Sequence, residues 1–432
     1  MLHLLRSNPA FFYLFLSQFL GAFNDNFFKN ALIMFITFKL SQSPEQTGLL
    51  ITLAAGLFIL PFFLFSSLAG QLADRYTKTE LIKKINLAEV LVMLLGAMSL
   101  LNQQIELLLM TLFLMGTQST FFGPLKYSVL PEMLDKQSLM QGNALFSGST
   151  FVAILLGSIL GAVGILIEDG VQIMAVSLIV VSILGYGLSL LISPTVAQNK
   201  DLQVNVNIFK STWKTIALCR PYQSAFFAVL AISWFWFLGA LLLSQIPAFV
   251  KYDLKADDSV VVAFLSVFTM GIALGSAMVT RWFKGQIVLN RHGLFLGGMS
   301  FCLGLIVLLI DIGSVAQINN QEALMDLTTF LTVWPMNAVL LLFLLIAILG
   351  GAYIVPLYTL LQTQTPLKLR ARMVAVNNIM NALFMVLSSV LIMIGYALSL
   401  SLMTMLLLLA VFNVLVAFMV QHTQKNLNSL NR

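Results

Sequence analysis

Residues 47–78 read TGLLITLAAGLFILPFFLFSSLAGQLADRYTK, an apolar run that ends in a short charged segment. A membrane-spanning α-helix needs about 20 mostly apolar residues, and residues 47–70 supply them. The segment from Gly70 to Lys78 then brings an acid and two cations together, and positive charge collects on the cytoplasmic side of a membrane. This stretch therefore predicts a membrane-spanning helix that ends at the cytoplasmic face.

Similar apolar runs recur along the whole chain. Hydrophobic residues make up 59% of the 432 residues and charged residues 9%, which is far less charge than the surface of a water-soluble domain carries. The chain is therefore predicted to be an all-α membrane protein with twelve transmembrane helices in two six-helix halves. The predicted spans lie near residues 10–38, 47–70, 84–101, 107–125, 140–167, 171–193, 224–250, 259–281, 293–311, 336–362, 374–397 and 399–421.

The lysines and arginines orient these spans. If the N-terminus is cytoplasmic, nineteen of the 23 fall in cytoplasmic segments, Lys39, Lys251 and Lys255 fall outside, and Lys29 lies within a span. This distribution obeys the positive-inside rule and predicts that both termini are cytoplasmic. The basic residues behind the net charge of +6 lie in these loops and not on one basic face, so nucleic acid is not an expected partner.

The longest cytoplasmic break divides the chain into residues 1–193, a linker at 194–223, and residues 224–432. In the linker, apolar residues recur at helical spacing beside two lysines: Phe209, Trp213, Ile216 and Ala217, with Lys210 and Lys214. One interpretation is a short amphipathic helix on the anionic inner leaflet. The other is a solvated basic linker.

Neither Cys219 nor Cys302 is predicted to form a disulfide bond or to bind a metal. His3, His292 and His422 are all predicted outside the spans, which argues against a membrane-embedded metal site or a histidine-based catalytic triad. We therefore expect no catalytic residues, no metal and no cofactor, and a protein that is not an enzyme. A membrane-embedded acyltransferase is the alternative from that class, and it would need a nucleophile at the membrane interface.

Asp25 is expected to be the only acidic residue well inside a span, where burying a charge costs roughly 2.5–3.5 kcal/mol without a partner or aqueous cavity. Gln18, Asp25 and Lys29 share one helix face, and Asp25 and Lys29 are spaced to form an ion pair. Asn24 and Asn26 add polarity beside them. This face is predicted to line a substrate or ion cavity, and the alternative is a structural ion pair that locks the first helix.

Charged residues at two cytoplasmic ends of spans carry further predictions. Gly70, Asp74, Arg75 and Lys78 form a cluster that would hold the cytoplasmic face closed in one state and release it in another. Lys126 follows a Gly-Pro-Leu sequence and has two interpretations, a topology-setting lysine or a cation that binds a phosphate.

Neutral polar and aromatic residues inside other spans are secondary candidates for substrate or ion contacts: Gln118, Trp234, Trp236, Gln245, Gln362, Asn377 and Asn378. Two glycine pairs with GxxxG spacing, Gly157/Gly161 and Gly271/Gly275, predict close helix packing, as fixed or as moving seams.

Twelve spans split six and six resemble the major facilitator superfamily, and GQLADRYTK (70–78) is similar to its signature between spans 2 and 3. A closer resemblance is to the bacterial lysophospholipid transporters and to the transporter domain fused to a 2-acylglycerophosphoethanolamine acyltransferase. It is carried by SQFLGAFNDN (17–26), FGPLKY (122–127), QGNA (141–144) and LGS (156–158). Span 7 departs from some members, which carry a basic residue in its interior.

The resemblance implies a flippase of the bacterial inner membrane that moves lysophospholipids such as lysophosphatidylethanolamine from the outer to the inner leaflet for reacylation. Its partners would be the substrate, membrane lipids and a phospholipid acyltransferase acting on the product, and a monomer is the fold-level expectation. Coupling to Na⁺ or H⁺ stays open. The alternative transporter is a proton-coupled exporter of drugs or other small molecules, or a sugar porter.

Overall fold

The computed structural model describes residues 2–36, 44–195, 199–282, 292–316 and 324–430. Lys39, Lys284, Arg291 and Arg432, which enter the predicted charge distribution, lie outside these ranges.

The described residues form sixteen α-helices, of which twelve are long. The long ones are α2 (Pro9–Phe35), α3 (Pro44–Arg75), α4 (Lys78–Asn102), α5 (Ile105–Ser128), α7 (Lys136–Gly164), α8 (Gly170–Leu190), α10 (Gln223–Ala248), α11 (Asp258–Trp282), α12 (His292–Ala316), α14 (Met336–Thr363), α15 (Arg370–Ala397) and α16 (Leu402–Leu430). The short ones are α1 (Leu2–Ser7), α6 (Leu130–Met133), α9 (Ile208–Cys219) and α13 (Leu327–Thr332). A π-helical turn, Phe249–Asp253, extends α10, and a 3-10 turn, Leu367–Leu369, precedes α15.

The twelve long helices coincide with the twelve predicted spans. Among the described residues, eleven are long and apolar enough to cross a membrane; α2, which carries Asp25 and Lys29, is not one of them. Three helices begin a turn or more earlier than predicted, α4 at Lys78 instead of residue 84, α7 at Lys136 instead of residue 140 and α15 at Arg370 instead of residue 374. Hydropathy excluded these charged first turns, although all three are helical.

The chain folds into two compact units. The first contains Met1–Val229 and Leu360–Ala382, and the second contains Leu230–Thr359 and Leu383–Arg432. Residues 360–382 therefore pack within the first unit, although the sequence pattern assigns them to the second half. They comprise the last turn of α14 and the first half of α15.

The core of the first unit is built around α2. Phe28, Leu32 and Phe35 recur at helical spacing on this helix and are fully buried with Met93 of α4 and Leu112 of α5. Such spacing places apolar side chains on one face of a helix. Burial of this face positions the polar residues of the same helix against α4, α5 and α7.

The glycine pairs form packing seams inside each unit. A Cβ on Gly157 or Gly161 of α7 would overlap the α2 backbone between Phe23 and Phe27, and a Cβ on Gly275 of α11 would overlap the Ile348 carbonyl oxygen of α14. Small residues at such positions let helix backbones approach closely. The interpretation of the glycine pairs as fixed packing contacts between helices accounts for this geometry.

Gly275→Ala is expected to lower the free energy of unfolding by about 1–3 kcal/mol, because the added methyl group forces α11 away from α14. Gly297→Ala is the matched control, since a Cβ at Gly297 meets nothing within 4 Å. Thermal unfolding in detergent measures both variants. Equal melting temperatures for the two would contradict the seam.

His292 corrects one prediction from the sequence. It is the first residue of α12 and fully buried, with its ring centroid 5.8 Å from that of Tyr353 and 6.4 Å from that of Phe295. The prediction placed it in a loop one residue before the span. Aromatic contacts within the second unit draw it into the helix.

Candidate functional site

Asp25 lies in the middle of α2 and faces α5. The Ser119 hydroxyl donates to Asp25 Oδ2, and Asp25 Oδ1 is buried without a described partner. The predicted ion pair between Asp25 and Lys29 is wrong, because Lys29 Nζ donates instead to Asn26 Oδ1 at 3.0 Å. Lys29 Nζ also lies 5.4 Å from the ring centroid of Phe58. Asp25 is therefore left with one free carboxylate oxygen inside the helix bundle.

Glu89 of α4 is a second buried acid, and the expectation that Asp25 is the only one is wrong. Its side chain is 3% exposed. Asn24 Nδ2 donates to Glu89 Oε1 at 3.3 Å, and Gln118 Nε2 donates to Glu89 Oε2 at 3.3 Å. Both donors are neutral amides, and these two long hydrogen bonds are the only ones described for this carboxyl.

A chain of polar side chains joins the two acids. Ser119 Oγ, which donates to Asp25, lies 3.2 Å from Gln118 Oε1, and the Gln118 amide reaches Glu89. Asn24 connects the chain to α8 through a 3.3 Å hydrogen bond to the Leu178 carbonyl. Polar groups inside a membrane are costly unless they are satisfied by one another or by a transported species. The arrangement is therefore a continuous polar core across α2, α4, α5 and α8.

Lys126 joins this region from α5 and is not a loop residue. Its Nζ donates to Thr150 Oγ1 of α7 at 2.7 Å. Thr150 Oγ1 lies 3.2 Å from Gln18 Oε1, and Gln18 Nε2 donates to Ser149 Oγ at 2.8 Å. A lysine ammonium has three donors, and one is used in the described contacts. The other donors can bind an anion.

Asp74 lies near the end of α3 in the first unit. Its fully buried carboxylate accepts hydrogen bonds from Arg372 Nε at 2.8 Å and from the Ala371 backbone N–H at 2.9 Å. The latter contact sits at the first turn of α15, where the positive end of the helix dipole favours an anion. A Cβ on Gly70 would lie 3.0 Å from the Arg372 Cα, so glycine lets α3 and α15 approach. These contacts join the predicted gate residues Gly70 and Asp74 to α15.

Lys78 makes the second charged contact among the predicted gate residues. It is fully buried at the start of α4, and its Nζ lies 2.6 Å from Glu132 Oε1 of α6. Arg75 does not join the network, because its guanidinium packs 5.4 Å from the ring centroid of the exposed Tyr76.

Gln362 and Asn143 form a reciprocal amide pair beside the gate, with Asn143 Nδ2 donating at 2.6 Å and Gln362 Nε2 donating at 3.0 Å. Arg370 Nε donates to the Gln362 carbonyl at 3.0 Å. Asn377 is buried in α15, and the Asn378 amide lies against Gly123 of α5. These side chains hold the start of α15 in the first unit.

The aromatic candidates of the second unit are held by their own neighbours. Trp234 stacks on Phe237 with ring centroids 4.7 Å apart, and its indole N–H donates to Asn413 Oδ1 at 2.8 Å. Trp236 is half-buried with its ring against Phe235. Gln245 accepts a 2.7 Å hydrogen bond from the Tyr396 hydroxyl. Trp234 is therefore a satisfied packing residue of the second unit.

Lys78→Met is expected to lower the free energy of unfolding by about 3 kcal/mol, because it leaves the Glu132 carboxylate unpaired in a buried position. The double variant Lys78→Met/Glu132→Gln should recover most of this loss. Lys83→Met is the matched control, since Lys83 forms a solvent-exposed pair with Glu80 and such pairs contribute roughly 0–1 kcal/mol. Unfolding in mixed micelles measures all three, and a loss as small as that of Lys83→Met would contradict a structural role for the buried pair.

The polar core contains two described hydrogen-bond networks that share α2 and α5: Asp25, Asn24 and Gln118 belong to one, and Gln18 and Lys126 belong to the other. Four members were missed from the sequence, Glu89 and Ser119 in the first network and Ser149 and Thr150 in the second, as was Asn143, which pairs with Gln362. Glu89 could have been identified from the sequence, because it is a glutamate within the predicted span 84–101. Isolated serines and threonines carry no such signal. Within the described ranges, no group of three or more His, Cys, Asp or Glu side chains lies together as a metal site would require. The core can bind charged groups of both signs.

Known proteins resemble this chain in both sequence and fold. The lysophospholipid transporter LplT of Escherichia coli O7:K1 is 25% identical over 360 residues, which cover 80% of this chain and 78% of the relative. LplT of Photorhabdus laumondii is 27% identical over 355 residues, with the same coverage.

Two solved structures show the fold. A bacterial homologue of the iron transporter ferroportin, in an outward-facing state, superposes with a TM-score of 0.70 at 14% identity and covers 96% of this chain and 99% of that one. The transporter FucP in the outward conformation gives a TM-score of 0.68 at 14% identity and covers 96% of this chain and 98% of that one. These likenesses confirm the fold class predicted from the sequence.

The family model described as the Major Facilitator Superfamily matches residues 14–389. Since the match takes in most of the chain, including the polar core and Asp74, the chain belongs to the major facilitator superfamily of membrane transporters.

Proposed function

We propose that this protein is a flippase that moves lysophospholipids, such as lysophosphatidylethanolamine, from the outer to the inner leaflet of the bacterial inner membrane by alternating access. The observation that carries the proposal is the polar core, in which an acid of α2 and a lysine of α5 lie within one bundle of membrane-spanning helices. The relatives named lysophospholipid transporter support the same substrate class.

The chemistry of the headgroup matches these two charges. A lysophosphatidylethanolamine headgroup carries an ammonium and a phosphate. The unpartnered Asp25 Oδ1 would accept hydrogen bonds from the ammonium, and the remaining Lys126 Nζ donors would bind the phosphate. The single acyl chain would stay among apolar side chains and lipid.

The coupling ion is part of the proposal. Asp25 and Glu89 are two buried acids joined by Ser119 and Gln118, and each binds a monovalent cation, H⁺ or Na⁺, more favourably than it keeps an uncompensated charge. The inward-moved product would serve a phospholipid acyltransferase. The transporter would act as a monomer with both termini in the cytoplasm.

A proton-coupled exporter of cationic drugs is the second candidate. The buried acids Asp25 and Glu89 favour it, because a carboxylate in an apolar pocket also recognises an organic cation. Lys126 distinguishes the two candidates, since a cationic substrate carries no phosphate for this lysine to bind.

Ligand-induced stabilisation of the purified protein tests the substrate class. Lysophosphatidylethanolamine is expected to raise the melting temperature, while monoacylglycerol, which lacks phosphate and ammonium, should not. Lys126→Met should remove the effect. Stabilisation by tetraphenylphosphonium and not by the lysophospholipid would instead support the exporter.

A further inference from the structure

In the linker helix α9, small polar side chains are buried and large aromatic side chains are exposed. Its buried face carries small polar side chains, Ser211, Thr215 and Cys219. Its outward face carries Phe209 and Trp213, whose side chains are 82% and 77% exposed. A helix at the surface of a water-soluble domain buries its apolar side. The exposed aromatic side chains of α9 therefore require another apolar environment.

Hydrogen bonds to α3 fix the position of α9 along that helix. Ser67 Oγ lies 2.8 Å from Ser211 Oγ and 2.8 Å from Thr215 Oγ1, and the Asn205 backbone N–H donates to Gln71 Oε1 at 2.9 Å. Ser67 and Gln71 are one turn apart near the end of the candidate span Leu53–Arg75. Because α9 is bonded beside the last turns of a membrane-spanning helix, it lies at the level of the leaflet and not in the solvent beyond it.

Cations accompany the exposed aromatic residues. Lys210 and Lys214 each directly follow an aromatic residue, Phe209 and Trp213 respectively, and the aromatic residues are themselves one turn apart. No acidic residue lies in α9. Aromatic side chains at the acyl boundary with lysines on the flank are the pattern of an interfacial helix, and lysines near an anionic leaflet contribute about 1 kcal/mol each. The charge of this surface is complementary to anionic lipid.

We propose that α9 is a binding surface for anionic phospholipids of the cytoplasmic leaflet. Phe209 and Trp213 insert at the acyl boundary, and Lys210 and Lys214 bind the lipid phosphates. Ser211 and Thr215 hold this lipid-bound helix to α3, one turn before the gate residue Asp74. The surface is separate from the polar core, and the proposal stands whatever substrate the core carries.

A fluorophore attached to Ala217→Cys reports on this surface without removing either aromatic residue. Ala217 is exposed and one turn after Trp213. Burial raises the pKa of the native Cys219 thiol to about 12, and Cys302 is buried, so the introduced thiol reacts selectively at neutral pH. The same label on Gln137→Cys, which is exposed at the start of α7, is the control for a solvated cytoplasmic position.

The labelled full-length protein is reconstituted in phosphatidylcholine vesicles with and without phosphatidylglycerol. We expect the label at position 217 to shift to shorter wavelength and to be quenched by brominated acyl chains, most strongly with phosphatidylglycerol, while position 137 is unchanged. Lys210→Gln/Lys214→Gln should reduce the preference for phosphatidylglycerol about tenfold or more, and high salt should weaken it.

Two outcomes would overturn the proposal. If the label stays exposed to water in both kinds of vesicle, lipid does not bind the α9 surface, and a soluble protein would be the expected partner. A label equally buried in both kinds, and insensitive to the lysine substitutions, would show an apolar anchor without anionic selectivity. Phe209→Ser/Trp213→Ser, read by the same label, should abolish the wavelength shift if the aromatic residues insert.

Discussion

Asp25→Asn is expected to reduce lysophospholipid transport by on the order of a hundredfold or more, while the protein still folds. The substitution keeps the shape of the side chain and its hydrogen bond with Ser119, but it removes the charge that would bind the ammonium of the proposed headgroup. Truncating one member of a buried charge pair costs 2–5 kcal/mol or more, which corresponds to this loss. Flipping of labelled lysophosphatidylethanolamine in liposomes measures the effect.

Glu106→Gln is the matched control, because Glu106 is an exposed acid in the first turn of α5. It should transport at the wild-type rate. If Asp25→Asn also kept that rate with an unchanged melting temperature, Asp25 would be a structural polar residue and the headgroup site would have to lie elsewhere.

Asp74→Asn is expected to cause the largest loss of stability, up to about 5 kcal/mol, together with loss of transport. The variant leaves the Arg372 guanidinium buried without its anion and weakens the cap on α15. Breaking a buried pair by removing one partner is strongly destabilising. Chemical unfolding in mixed micelles and the liposome assay measure the two effects.

Two further variants separate the causes. Arg75→Gln should be neutral in stability, since the contact described for Arg75 is with the exposed Tyr76. The double variant Asp74→Asn/Arg372→Met should recover stability but not transport, because the gate would then lack its charged contact. Wild-type transport in the double variant would contradict the gating role of Asp74.

The helices were predictable because the bilayer demands long apolar runs. Each of the twelve long helices lies where hydropathy placed a span, and the short helix in the linker lies where Phe209 and Trp213 recur at helical spacing. Helix ends were less predictable. Lys78 reads as a loop residue from its charge alone, yet Glu132, 54 residues away, compensates that charge and lets α4 begin there.

Contacts between distant segments limited prediction of the site. The i, i+4 spacing of Asp25 and Lys29 predicted an ion pair, but α5 brings Ser119 from 94 residues away to Asp25. Likewise Arg372 reads as a topology-setting arginine until Asp74, 298 residues away, lies 2.8 Å from it. Residue type and spacing located the polar helix α2 and the charged cluster at Asp74, and packing decided the partners.

The most direct test of the transport claim is protein-dependent movement of labelled lysophosphatidylethanolamine across the bilayer of reconstituted liposomes. Empty liposomes and liposomes containing Asp25→Asn serve as references, with Na⁺ and pH gradients applied in turn. We expect movement only with the wild-type protein, and faster movement under the gradient of the coupling ion. Wild-type movement equal to that of empty liposomes under every gradient would contradict the lysophospholipid assignment.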